Sequence, residues 1–157
     1  MKVQQIINAV LEKVLIFLMS ILVLDVLWQV CSRYLLSSPS SFTDELAGFL
    51  LIWVGVLGAA YVSGKNQHLA IDLLKQKVSP MLRKNIDVVI NVLVALFAFL
   101  VMLVGGTWLV ITRFQLDVNS AALHMPLGFV YLVMPISGLL IIFYSVLLII
   151  HPKKESI

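Results

Sequence analysis

Four apolar blocks, at residues 6–30, 45–63, 86–111 and 127–150, leave this chain few ways to fold. A bilayer's hydrocarbon core is crossed by about 20 consecutive apolar residues in a helix. Lipid offers the backbone no hydrogen bonds, so a spanning segment must satisfy its own N–H and C=O groups. Each block is close to or above the spanning length. The sequence therefore predicts an all-α membrane protein with four transmembrane helices, at about 6–30, 45–63, 86–111 and 127–150. Hydrophobic residues make up 61% of the chain, against about 45–50% in soluble domains. Residues 1–157 read as a single four-helix membrane domain, with no stretch left for a soluble domain of useful size. The first block is too long for a signal-peptide core and lacks a small-x-small cleavage site, so it is expected to stay as a span.

Charge sets the expected orientation. Lys and Arg in short loops near span ends favour the cytoplasmic side. Lys2 and Lys13 flank the start of the first block. Lys65, Lys75, Lys77, Arg83 and Lys84 lie between the second and third, and Lys153 and Lys154 follow the fourth. The opposite side carries only Arg33 and Arg113 of the 11 basic residues. Both termini are thus expected inside (N-in, C-in), and the loops near 37–43 and 117–124 outside. The net charge of +3 follows from these inward-facing residues and calls for no nucleic acid. Cys31 is the single cysteine, which excludes an intramolecular disulfide and thiol-relay chemistry.

Few polar groups interrupt the blocks. Asp25 lies near the outer end of the first, with Gln29 one turn and Arg33 two turns later on one face. An intramembrane acid is costly and marks a functional candidate; its bland reading is a shallow carboxylate satisfied by Gln29, Arg33 or a neighbouring helix. Gly55, Ala59 and Ser63 recur at four-residue steps in the second block, a spacing that lets another helix approach closely. Between the second and third blocks, residues 69–79 form an amphipathic pattern that predicts a short interfacial helix on the membrane surface. His68 and Asp72 stand four apart there and are expected to serve loop structure. Pro126 suits the first turn of the fourth span, and Pro135, inside it, is expected to kink it.

Asp44 and Glu45 stand at the start of the second span. Ser41 or Thr43 as cap would leave both acids in the positive first turn of the helix, with Arg33 in reach of one of them. The alternative is that Arg33, Asp44 or Glu45 contacts a partner. Catalytic signatures are missing from the sequence: His68, His124 and His151 lie at or outside span ends, where haem ligation is not expected, and no phosphate loop or nucleophile constellation appears. A polar midplane of the kind a solute carrier builds from broken helices is missing too, so a partner is expected to supply the pathway.

From Arg33 to Asp72 the sequence resembles the small membrane subunit of tripartite ATP-independent periplasmic (TRAP) transporters. The matching pieces are Arg33, Thr43-Asp44-Glu45-Leu46, Ile52-Trp53, Gly58-Ala59-Ala60 and the His-x-x-x-Asp pair His68 and Asp72. Pro126, Tyr131 and Pro135 then match the family's Pro-x4-Tyr-x3-Pro. Asp44 departs mildly from it, since a second Glu is common there. The resemblance implies a large multi-span partner subunit that holds the substrate and sodium sites, with no cofactor in this chain. It also implies a periplasmic substrate-binding protein and ion-gradient-driven uptake of an organic acid, such as sialic acid or a C4-dicarboxylate, across the bacterial inner membrane. This chain would be a non-catalytic scaffold embedded in the lipid bilayer. The rival reading is a stand-alone four-helix exporter working as a homodimer; a haem-bearing redox anchor is a third.

Overall fold

The computed structural model describes residues 2–35, 40–65 and 80–150. His68, Asp72 and the amphipathic stretch 69–79 lie outside these described residues. The elements are α1 (Lys2–Leu35), α2 (Ser41–Lys65), α3 (Pro80–Phe97), a π-helical segment π1 (Ala98–Gly105), α4 (Gly106–Gln115), α5 (Gly128–Tyr131) and α6 (Val133–Ile150). Four helical stretches are long and apolar enough to cross a membrane: Val3–Leu35, Ser41–Lys65, Ile86–Gln115 and Gly128–Ile150. The third runs through α3, π1 and α4 without a break, and the fourth joins α5 to α6. No strand forms among the described residues; a single bridge pairs Asn119 with Pro126.

The helices pack in the order α1, α2, α6 and then α3 with π1. The first two form a hairpin whose seam is visible along α1. Between Val3 and Leu35, Gln4, Asn8, Leu11, Leu15, Leu18, Leu22, Asp25, Gln29 and Ser32 are among the few less exposed residues. Their alternating steps of four and three are the 3.5-residue repeat that keeps one helix face against a neighbour. The remaining faces of α1 are bare and apolar, with Phe17, Leu24 and Trp28 each more than half exposed.

Two clusters fill the interior: Leu11, Leu57, Val133 and Tyr144, and Ala60, Ala98, Met102 and Ile141. Lipid tails are as apolar as these side chains, so close fit rather than water expulsion holds such helices together. Glycines supply that fit. A Cβ on Gly138 would meet the Leu103 nitrogen at 3.1 Å and the Ala98 carbonyl at 3.2 Å, so α6 lies directly on π1. One on Gly64 would meet the Tyr144 ring at 2.6 Å.

The fourth span is interrupted at Leu132. Pro135 has no N–H for the Tyr131 carbonyl one turn back, and its ring crowds that carbonyl. Helix α5 therefore stops at Tyr131 and α6 restarts at Val133. Pro126 sits just ahead of α5, where its carbonyl accepts the Phe129 N–H at 3.1 Å.

Hydrogen bonds fix which ends lie together. Gln4 donates its amide to the Gly64 carbonyl at 3.1 Å, and the Tyr144 hydroxyl donates to Asn8 Oδ1 at 2.6 Å. The start of α1, the end of α2 and the end of α6 therefore share one end, here the basal end. The turn from α1 to α2 and the loop 116–127 form the apical end.

Candidate functional site

The apical end gathers most of the residues singled out in the sequence. Helix α2 is capped by Ser40 rather than Ser41 or Thr43: the Ser40 hydroxyl accepts the Thr43 N–H at 3.5 Å, and Thr43 Oγ1 donates to the Ser40 carbonyl at 3.0 Å. One of the N–H groups that a helix start leaves unpaired is thereby met. Asp44 and Glu45 are consecutive, so their side chains diverge by about 100° around the helix, and they take different partners. Asp44 Oδ1 accepts the Gln29 amide from α1 at 2.6 Å. Glu45 turns to the loop 116–127, where Oε2 accepts the Ala122 N–H at 2.7 Å and the Leu123 N–H at 3.3 Å, and Oε1 accepts that of Ala121 at 3.3 Å.

That loop is built to offer those groups. The Ser120 N–H donates to the Met125 carbonyl at 2.9 Å, the His124 N–H to the Ser120 carbonyl at 3.2 Å, and the Leu127 N–H to Val118 at 3.0 Å. The tight turn closed by these bonds carries His124 at φ 52°, a left-handed conformation uncommon outside glycine. Successive N–H groups at 121–123 then converge, a concavity that binds anions, and the Glu45 carboxylate fills it. Ser120 Oγ also accepts the Leu123 N–H at 3.1 Å. Bonds from an ionised acceptor are shorter and stronger than neutral ones.

Arg33 is exposed and joins neither Asp44 nor Glu45 among the described residues. Arg113, at the end of α4, lies with its guanidinium carbon 5.8 Å from the centre of the Tyr131 ring, and its Nε is buried without a partner among the described residues. Asp25 departs from its bland reading. The Gln29 amide goes to Asp44, and Asp25 keeps one buried carboxylate oxygen with no partner among the described residues.

The small-residue face of α2 divides. Ser63 is buried, whereas Gly55 and Ala59 face outward. A Cβ on Gly48, Gly55 or Gly58 would meet nothing within 4 Å among the described residues. The basal end carries its own polar set: the Tyr61 hydroxyl donates to Glu12 Oε2 at 3.0 Å, and Lys65 Nζ lies 4.5 Å from the Tyr61 ring centre. Sequence reasoning missed Gln29 as the Asp44 donor, the 121–123 turn and the Asn8–Tyr144 bond. A tyrosine inside a span needs a hydrogen-bond partner, and that was the available signal for the last of these.

A family model described as tripartite ATP-independent periplasmic transporters, DctQ component, matches residues 22–153. The chain belongs to the DctQ family. The matched range includes Asp25, the apical cluster and all of the last three spans. A Haemophilus influenzae protein provisionally named TRAP transporter small permease protein is 28% identical over 137 residues, 86% of this chain and 82% of that protein. The sialic acid TRAP transporter small permease protein SiaQ of Vibrio cholerae is 30% identical over 101 residues, 63% of this chain and 58% of SiaQ. A stretch of 72 residues, 46% of this chain, is 33% identical to 12% of the sialic acid TRAP transporter permease protein SiaT of Haemophilus influenzae. This DctQ chain is thus a multi-pass membrane protein of a transporter family, similar to small permease proteins of TRAP systems.

Proposed function

We propose that the chain is the non-catalytic small permease subunit of a TRAP transporter, bracing a large subunit that carries the substrate. The observation that carries this reading is where the bonds between helices fall. Gln4–Gly64, Asn8–Tyr144 and Glu12–Tyr61 clasp the basal end, and Gln29–Asp44 with the Glu45 turn clasp the apical end. Between them the two core clusters are apolar and closely packed, and the Ser137 and Ser145 hydroxyls of α6 are small polar groups buried as well. A carrier needs polar groups at the midplane; a brace needs fixed ends and a tight middle. The match to a small part of SiaT, a chain several times longer than this one, supports a large permease as the partner.

The finer parts of the reading rest on charge and on the relatives. In the sequence, nine of the 11 basic residues belong to the segments that flank the basal ends of the spans, so that end is assigned to the cytoplasm, with both termini inside and the protein in the bacterial inner membrane. The apical end then faces the periplasm, where a substrate-binding protein delivers its cargo to the assembled pair. The names of SiaQ and SiaT favour sialic acid as the organic acid, with a C4-dicarboxylate the other candidate. Sodium is the expected coupling ion, with its sites in the large subunit.

Reconstitution into proteoliposomes tests this. Uptake of labelled substrate is expected only when this chain, the large subunit and the binding protein are all present with an inward sodium gradient. Transport by this chain alone would end the subunit reading in favour of the homodimeric exporter.

A further inference from the structure

The apical end keeps a cation that no acid of the described residues answers. Arg113 lies in the last turn of α4, just below the loop 116–127, and its carbonyl accepts the Val118 N–H at 3.2 Å. Arg33, the other basic residue at this end, is exposed, whereas Arg113 is half-buried. The Arg113 Nε is sealed from solvent, and none of its guanidinium nitrogens makes a hydrogen bond or ion pair among the described residues. The acids nearby are engaged or turned away. Asp44 holds the Gln29 amide, and Glu45 holds the N–H groups at 121–123. Asp117 is exposed and forms no ion pair with Arg113. Residues 36–39, Leu-Ser-Ser-Pro, carry no acid. A guanidinium stripped of water on one side and left unpaired is costly. The face of Tyr131, 5.8 Å away, offsets only part of that.

The outer part of the same group is open. Unlike Nε, the two terminal nitrogens are unpaired without being buried, so a group from outside can reach them. The Tyr131 hydroxyl is also unpaired among the described residues and not sealed. Around these donors the surface is bare and apolar. Phe114 and Phe129 pack edge to face at 5.2 Å and are 40% and 50% exposed. Leu116, at the start of the loop, is largely exposed as well. The third span ends at Gln115 and the fourth begins at Gly128, so the site stands where spans leave the hydrocarbon and headgroups begin.

We propose that Arg113, with the Tyr131 hydroxyl, binds the phosphate of a phospholipid at the apical leaflet, whose chains cover Phe114 and Phe129. The proposal stands apart from the transporter reading and holds for either orientation of the chain. A guanidinium fork matches two phosphate oxygens, and its bonds to an anion are strong ones. The apolar rim matches acyl chains. One phospholipid therefore answers both the unpaired charge and the bare rings, whereas a free anion would answer the charge alone.

Native mass spectrometry of the delipidated full-length chain, titrated with phosphatidylglycerol, tests this. One phospholipid is expected to bind at least about tenfold more tightly than diacylglycerol, which has the same chains and no phosphate. Phosphatidylethanolamine should bind comparably, because the phosphate is shared. Arg113→Gln should weaken phospholipid binding about tenfold, and Arg113→Lys, which keeps the charge without the fork, should fall between. Tyr131→Phe keeps the ring and should weaken binding a few-fold, a second test of the site should Arg113→Gln fail to fold. Arg33→Gln should leave binding unchanged. Equal binding of diacylglycerol, or an equal loss with Arg33→Gln, would overturn the proposal. Inorganic phosphate protecting the chain from thermal unfolding as well as phospholipid does would make this a free-anion site and overturn it too. So would release of the bound lipid when the large subunit co-purifies, which would give Arg113 to an acid of that protein.

Discussion

Glu45 reaches from the first turn of α2 to three backbone N–H groups that lie 76 to 78 residues away in the chain. Those groups belong to the apical loop, and once Glu45 is gone water must take its place at Ala121 and Ala122, while the Leu123 N–H keeps the Ser120 hydroxyl. Glu45→Ala should therefore speed amide hydrogen exchange at 121 and 122 by about an order of magnitude or more, with α2 itself little changed. Glu45→Gln, which keeps one carbonyl acceptor, should fall between, and Glu45→Lys should open the loop furthest. Unchanged exchange in all three would show that the turn closes without Glu45. The Asn8–Tyr144 bond makes a second case at this scale. Tyr144→Phe keeps the ring against Gly64 but removes the donor, so it should destabilise the chain by about 0.5–1.5 kcal/mol in a detergent unfolding titration. Sequence showed the two acids at a helix start but not which takes which partner. That depends on the 100° step between them and on a loop far along the chain, and neither is a local property.

At the scale of the helices, the same residue type has opposite consequences. Gly138 lies on the π1 backbone, and Gly55 lies against nothing. Gly138→Ala forces the Leu103 nitrogen or the Ala98 carbonyl to move and should cost about 1–3 kcal/mol. Gly55→Ala in the isolated chain should cost nothing and gain up to about 1 kcal/mol from helix propensity. The same unfolding titration checks the pair, and equal costs would contradict the packing described. Four-residue spacing pointed to Gly55, Ala59 and Ser63 as one packing face, but a helix turns 100° per residue, so four-residue steps drift by 40° each. By Ser63 the row has rotated into the core, which is why that residue is buried while Gly55 is not. The π segment was not legible at all. Its sequence, AFLVMLVG, is ordinary apolar helix; the wider turn accompanies close packing against the fourth span, with Gly138 on π1 and Gly106 against Met134 and Pro135, rather than any local breaker. The interruption of the fourth span was legible, because Pro135 carries its cause in its own ring.

For the whole molecule, the four spans were legible because bilayer thickness sets a length that any sequence must meet, and each apolar block meets it alone. Which end faces the cytoplasm is a separate matter, decided by charge outside the spans. The basal end joins residues 4, 64 and 144, so one measurement there orients every helix. Cys31 is exposed near the apical end of α1 and is the chain's single cysteine, a ready-made probe. A membrane-impermeant maleimide should label it in right-side-out spheroplasts and not in sealed inside-out vesicles. In a Cys31→Ser background, Lys65→Cys at the end of α2 should give the reverse. The Lys and Arg bias is large enough that loss of a single charge should not matter. Lys65→Cys removes one basal charge of many, so it should report the orientation without altering it. Labelling of Cys31 in sealed inside-out vesicles and not in spheroplasts would invert the topology. It would put the Glu45 turn in the cytoplasm, where no periplasmic delivery protein could reach it, and the transporter reading would then have to find its docking surface on the basal end.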